Sequence, residues 1–314
     1  MADDQQQLAR TPPPIPAPLV EFHGEPPPAP KWFEDAIAVA PERSTIAVEG
    51  ADIEMLTWGE VGKPGLLFLH GNGAHADWWS FIVPFFAKDW RVAAISWSGM
   101  GGSGWREAYS APLFAAEIFA AVEAAGLEAG GVKPILVGHS FGGFPTLYCA
   151  AEHADRLRGV VLLDTTIQPP EKRWKGPPNR PGFGSKVYET LVEGLARFRL
   201  APPQTCENLY IADYIARRSL KEVEGGWTWK FDPAIWQRFS MPDLGLLLPR
   251  IACPAALMWG ERSNLMHDET LSYMIGEMPK DVLLVPIPDA DHHVMIDQPL
   301  AFVAGLRGLL AAWK

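Results

Sequence analysis

Ser140 stands in the run Gly138-His139-Ser140-Phe141-Gly142, directly behind the apolar stretch from Pro134 to Val137 and directly ahead of a helical pattern. A turn that tight needs glycines on either side of the serine, and it lifts the hydroxyl above a sheet at a helix N-terminus. The chemistry this suits is nucleophilic attack on an acyl group. A serine hydroxyl needs an imidazole to take its proton, and the imidazole needs a carboxylate to set its tautomer. The run Asp291-His292-His293-Val294-Met295-Ile296-Asp297-Gln298-Pro299 offers two imidazoles between the last strand signal and the last helix signal, and either suits the role. His153 and His267 lack a strand end and read as surface groups. Acyl transfer also needs two backbone N–H donors for the developing oxyanion. The glycine-rich loop His70-Gly71-Asn72-Gly73 supplies one at Asn72, and the residue after the serine, Phe141, supplies the other.

The elements that must hold these residues follow from periodicity. Short apolar runs bounded by turn formers predict strands at Thr45–Val48, Ile53–Trp58, Gly65–Leu69, Arg91–Ser96, Pro134–Val137, Gly159–Leu163, Ala255–Trp259 and Asp281–Pro286. Helical patterns lie at Ala76–Ala87, Ala111–Ala125, Gly142–Ala151, Asp268–Met278 and Pro299–Trp313. Strands alternating with helices predict an α/β fold: an eight-stranded, mostly parallel sheet with helices on both faces. The first two strands, split only by a turn at Gly50 to Asp52, should pair as an antiparallel edge hairpin.

The alternation breaks after the sixth strand. Residues 165–248 carry turn formers and helical patterns near Lys186–Phe198, Cys206–Val223 and Asp232–Phe239, with no strand signal, and read as an inserted helical lid. The core is then 31–164 together with 249–314. Residues 1–30 form a tail, with nine prolines between Thr11 and Pro30, a composition that favours extended geometry. Trp174, Trp227, Trp229, Trp236, Phe231 and Tyr214 bring large rings to the lid, some of which should line an apolar pocket above Ser140.

Charge and composition narrow the function classes. The net charge of −10 provides no chain-wide basic field, which argues against nucleic acid as a partner. Within the lid the balance reverses: Thr165 to Arg250 holds 13 Lys and Arg against 9 Asp and Glu. With Lys172-Arg173-Trp174-Lys175 and Arg217-Arg218, this raises the expectation of a substrate that carries a carboxylate. Cys149, Cys206 and Cys253 are widely spaced and odd in number, as expected of a reducing, cytoplasmic setting. The acidic start lacks the pattern of a secretory leader, and no long apolar run suggests a membrane partner. Gly99-Met-Gly-Gly-Ser-Gly104 formally matches a dinucleotide fingerprint, but neither a helix nor an acid-terminated strand follows as that motif requires.

Taken together, the loop at His70-Gly71, the turn Gly99-Met-Gly-Gly-Ser103, the elbow around Ser140 and the stretch from His292 to Pro299 resemble the α/β-hydrolase superfamily, in its lid-bearing branch. The resemblance covers about residues 44 to 314, apart from much of the lid. In that family the histidine precedes an acidic residue by five positions and a proline by seven. Counting back from Asp297 and Pro299 then selects His292. One departure concerns the acid: the family usually places an aspartate three residues after the glycine that follows the seventh strand, whereas Gly260-Glu261-Arg262 is followed by Ser263. Some members carry the acid one strand earlier, which implies Asp164 here, with Glu261 and Asp268 as the alternatives.

What the resemblance implies is a serine hydrolase without metal or organic cofactor, acting on small-molecule carboxylic esters of small or medium apolar groups. A serine nucleophile argues against the haloalkane dehalogenase and epoxide hydrolase branches. Thioester, lactone, amide or carbon–carbon bond hydrolysis on the same residues stays open, as does a slow homologue that mainly binds ligand, a reading the missing acid at Ser263 raises. Oligomeric state is not legible.

Overall fold

The computed structural model of the protein describes residues 17–172 and 186–313. Eight strands form one sheet: β1 (Glu42–Val48), β2 (Ala51–Trp58), β3 (Gly65–Leu69), β4 (Arg91–Ile95), β5 (Ile135–His139), β6 (Gly159–Leu163), β7 (Ala255–Gly260) and β8 (Leu283–Ile287). Their spatial order is β1-β2-β4-β3-β5-β6-β7-β8. β1 pairs antiparallel with β2, and β2 antiparallel with β4. The remaining neighbours are parallel. The edge hairpin forms as expected, with Glu49 and Gly50 both at positive φ, the geometry of a twist-matched two-residue turn. β3 to β6 are buried along their whole length, because helices cover both faces. Pro286 sits in β8, an outer strand, where its missing N–H costs no central ladder bond.

Helices α1 (Lys31–Ala38), α2 (Ala111–Ala124), α3 (Gly143–Glu152), α4 (Leu191–Leu195), α5 (Leu209–Ser219), α6 (Asp268–Glu277), α7 (Val294–Asp297) and α8 (Pro299–Ala312) complete the frame. One apolar cluster, including Phe68, Trp79, Phe302 and Leu306, fills one side of the sheet. A second, including Leu67, Trp97, Phe114 and Leu257, fills the other.

Three sequence expectations change. Ala76–Ala87 is not one helix but two short 3₁₀ turns, Ala76–Trp79 and Val83–Phe85. Pro84 lacks the N–H that a continuous helix would need, and burying Trp78, Trp79, Phe81 and Phe86 together takes precedence over helical propensity. α1 adds a helix to the stretch behind the prolines, where it buries Phe33 and Ala36.

The segment between β6 and β7 also carries strands. A hairpin pairs Leu220–Val223 with Gly226–Trp229, and Phe239–Ser240 pairs with Tyr109–Ser110 of the core. The turn Glu224-Gly225 supplies the hairpin, with Gly225 and Gly226 at positive φ, a signal hidden within a patch that otherwise looked helical. The described part of the tail packs on this segment: Leu19 is buried, and Arg217 Nη2 donates to the Gly24 carbonyl at 2.5 Å.

Candidate active site

The backbone at the serine is unusual. Ser140 lies at φ 52°, a left-handed conformation that side chains other than glycine adopt only when their surroundings enforce it. Its neighbours explain why two glycines flank it. A Cβ on Gly138 would sit 2.3 Å from Thr146 Oγ1 and 2.5 Å from the Gly142 carbonyl. A Cβ on Gly142 would sit 2.5 Å and 2.6 Å from the carbonyl oxygens of Leu69 and His70. The turn therefore closes between β5 and α3 only where side chains are absent.

Ser140 Oγ lies 3.0 Å from His292 Nε2, and His292 Nδ1 lies 2.7 Å from Asp164 Oδ1. Asp164, at the end of β6, is fully buried and itself at φ 45°. Its two oxygens are spoken for: the Gly260 amide donates to Oδ2 at 2.9 Å, and Ser263 Oγ donates to Oδ1 at 2.7 Å. With Oδ1 accepting, Nδ1 of His292 carries the proton and Nε2 presents a lone pair to Ser140. Of the alternatives for the acid, Glu261 and Asp268 are both exposed, and the carboxylate hydrogen-bonded to His292 is that of Asp164. Ser263, which stands where the family pattern expects an aspartate, is thus a hydrogen-bond donor to the carboxylate from the earlier strand.

The histidine's position is set by its loop. Asp297 accepts from the Asp291 amide at 2.8 Å and from Gln204 Nε2 at 2.9 Å. Gln204 Oε1 in turn accepts from the His293 amide at 3.1 Å, and Asn208 Nδ2 donates to the carbonyl of Ile296. Burial pushes the Asp297 carboxyl up to about 6. From below, His139 Nε2 donates to the His292 carbonyl at 3.0 Å, tying the elbow to the histidine loop. His139 and His293 are buried, and desolvation, followed by the nearby His292 ring, holds both well below the usual imidazole range. They are neutral packing groups.

On the other side stands the loop after β3. A Cβ on Gly71 would lie 3.2 Å from Ser140 Cβ, so this backbone runs directly against the serine. His70 anchors it. Its Nδ1 donates to the Gly71 carbonyl at 2.7 Å, its Nε2 accepts from the Trp97 amide at 3.0 Å, and burial lowers its pKa to about 3. Asn72 follows, on the wall of a cavity of about 590 Å³, and Phe141 is buried at the start of the elbow turn.

That cavity is also lined by Gly73, Trp78, Met100, Trp229, Trp236 and His293. Ser140 is not part of its lining; the cavity reaches the site at Asn72, Gly73 and His293. Of the aromatic residues expected there, Trp229, Phe231 and Trp236 line the wall, whereas Tyr214 packs against Phe33 and Phe81 in the core. Trp227 is half-buried elsewhere in the hairpin, and Trp174 lies outside the described residues.

The glycine turn after β4 has no helix on it. Gly99 donates to the Gly104 carbonyl and Gly101 to that of Lys230, so the turn docks the inserted segment, and α2 begins only at Ala111. His139, His292 and His293 bring imidazole nitrogens within 4.8 Å of one another, the one cluster of metal-ligand type among the described residues. Both nitrogens of His292 are already committed to Ser140 and Asp164. A cation there would compete with the serine contact. Sequence reasoning missed Ser263, His139, Gln204 and Asn208, whose roles depend on contacts between distant segments.

Comparison with known proteins places the chain in a family. A family model described as the alpha/beta hydrolase family matches residues 66–306. The chain is 25% identical over 271 residues to the esterase Rv0045c of Mycobacterium tuberculosis, covering 84% of this chain and 88% of that one. It is 26% identical over 259 residues to a pimeloyl-[acyl-carrier protein] methyl ester esterase of Chromobacterium violaceum, covering 77% and 92%. Among solved structures, E-2-(acetamidomethylene)succinate hydrolase superposes with a TM-score of 0.72 at 20% identity, covering 86% of this chain and 99% of that one. The chain belongs to the alpha/beta hydrolase family.

Proposed function

We propose that the protein is a serine hydrolase that cleaves carboxylic esters of small or medium apolar groups through an acyl-enzyme. The observation that carries this reading is the unbroken contact chain from Asp164 through His292 to Ser140, at 2.7 and 3.0 Å. Ser140 Oγ attacks the ester carbonyl as His292 Nε2 takes its proton. Asp164 stabilises the imidazolium and fixes its orientation without itself taking the proton. The amides of Asn72 and Phe141 receive the oxyanion, in the roles such donors play where a strand turns into a helix. His292 returns the proton to the leaving alcohol. Water, deprotonated by the same imidazole, then releases the acid and restores Ser140.

The relatives named as esterases support an acyl ester over other bonds. The largely aromatic wall formed by Trp78, Trp229, Phe231 and Trp236 suits an apolar substituent. The segment between β6 and β7 would act as the lid that closes over it. The main ground for a ligand-binding homologue was the absent carboxylate at Ser263, and Asp164 stands in hydrogen-bond range of His292 instead.

Incubation with a fluorophosphonate, followed by peptide mapping, and turnover of a short p-nitrophenyl ester test this together. Labelling confined to Ser140 with turnover lost in Ser140→Ala is the expected outcome. Rapid turnover surviving in Ser140→Ala would overturn it.

A further inference from the structure

The lid cations that stand out in the sequence are already engaged. Arg217 Nε pairs with Asp213 at 2.7 Å, Arg218 lies 3.5 Å from Asp77 and over the Tyr214 ring, and Lys172 pairs with Glu269. Arg173 and Lys175 fall outside the described residues. A different set lines the cavity: Lys186, Arg197 and Arg199.

No carboxylate among the described residues comes within 4.0 Å of these three. Lys186 faces the Tyr188 ring at 5.6 Å, and Arg199 Nη1 donates to the Phe198 carbonyl at 2.8 Å. Partial burial, then the charge of Arg197, lowers the Arg199 pKa. Glu189 and Glu193 border an outer depression that shares these cations, without pairing with them. Asp232 lines the cavity but accepts from Tyr109 Oη at 2.8 Å and the Ala234 amide at 2.8 Å, and lies 3.5 Å from Arg238. A cavity with a largely aromatic wall that also carries three cations, none with a carboxylate within 4.0 Å among the described residues, suits an anion with an apolar chain.

We infer that the substrate is a half ester, whose reacting carbonyl meets Ser140 and whose apolar chain ends in a carboxylate held by Lys186, Arg197 and Arg199. This rests on the esterase reading and names its substrate class. The ester C–O bond breaks, water supplies a hydroxyl to the acyl carbon and a hydrogen to the alcohol, and the new acid loses a proton. The terminal carboxylate makes no covalent change. Arginine forks can pair with it bidentately, while their exposed setting keeps each contact modest, so the three together give roughly tenfold selectivity.

The test compares the mono-p-nitrophenyl ester of an eight-carbon diacid with the same ester capped as a neutral methyl diester, using the full chain. Wild type should prefer the half ester by about tenfold in kcat/KM, through KM, and 0.5 M NaCl should shrink that ratio. Arg197→Gln/Arg199→Gln should bring the ratio close to one, while the equally charge-reducing Lys31→Gln/Lys133→Gln leaves it intact. A wild-type ratio near one, or a preference surviving in the arginine double variant, overturns the inference. Calorimetric binding of both esters to Ser140→Ala reads the anion site without turnover. Tighter half-ester binding there, lost in the arginine variant, supports it even if hydrolysis fails, and equal binding of the two esters overturns it even if both are hydrolysed.

Discussion

Ser263 Oγ and His292 Nδ1 meet at the same atom, Oδ1 of Asp164, each at 2.7 Å. The loop position that usually carries the acid therefore lies within one hydrogen bond of the carboxylate that occupies its place. Asp164→Ala should lower kcat by about 10³ to 10⁴-fold, the loss expected when a histidine loses the group that sets its tautomer. Adding Ser263→Asp to that variant should restore at least tenfold, because the new carboxylate starts from the vacated oxygen's neighbour. Steady-state kinetics on one p-nitrophenyl ester decides both. A single variant losing less than tenfold would remove Asp164 from the mechanism.

Two glycines, one in the elbow and one in α8, should respond in opposite ways to an added methyl group. Gly142→Ala drives a Cβ to 2.5 Å from the Leu69 carbonyl, a backbone atom that cannot swing aside, and should cost about 3 kcal/mol or prevent folding. Gly308→Ala, in α8 with nothing within 4 Å of the added carbon, should gain up to about 1 kcal/mol. Urea unfolding of the two proteins measures the contrast, and equal midpoints would refute the steric account.

Behind the sheet, Glu117 is fully buried, and its Oε1 receives both Nε and Nη2 of Arg106 at 3.1 Å. Arg106 also donates to the carbonyls of Val48 and Glu49, so one side chain joins the hairpin, the glycine turn and α2. Arg106→Ala strands a carboxyl that burial already pushes up, and should cost about 3–5 kcal/mol. Arg106→Met/Glu117→Gln should recover part of that loss, as measured by denaturant midpoint. A double variant less stable than Arg106→Ala would contradict the argument.

Stability should fall as pH drops from 7 to 5. Burial, the leading cause for each, lowers His70 to about 3 and His75 to about 4, and holds His139 and His293 well below the imidazole range. Unfolded, all four take up protons near pH 6.5, so the unfolded chain binds more protons between about pH 4 and 6.5, and stability rises with pH there. Asp297, raised to about 6, and Glu117, also raised, act in the opposite sense, because folded they keep protons that the unfolded chain releases. Four imidazoles against two carboxyls leave a net loss on acidification. Thermal unfolding at pH 7 and pH 5 reads it, and an unchanged or higher midpoint at pH 5 would count against neutral burial.

Local chemistry made much of this molecule legible. Two glycines around a serine at a strand end, a glycine-rich loop after an earlier strand, and the spacing from His292 to Asp297 and Pro299 each state their requirement within ten residues. The period of the apolar pattern likewise located all eight sheet strands, most directly β3 to β6, which are buried on both faces and therefore apolar throughout. Tertiary structure decided the matters that hinge on pairs far apart in the chain: that Ser263 donates to Asp164, that His139 donates to the His292 carbonyl, and which cations of the inserted segment meet a carboxylate and which face the cavity. A charge or hydroxyl looks the same in sequence whether it is neutralised or free. Only packing brings its partner within hydrogen-bond reach or leaves it without one.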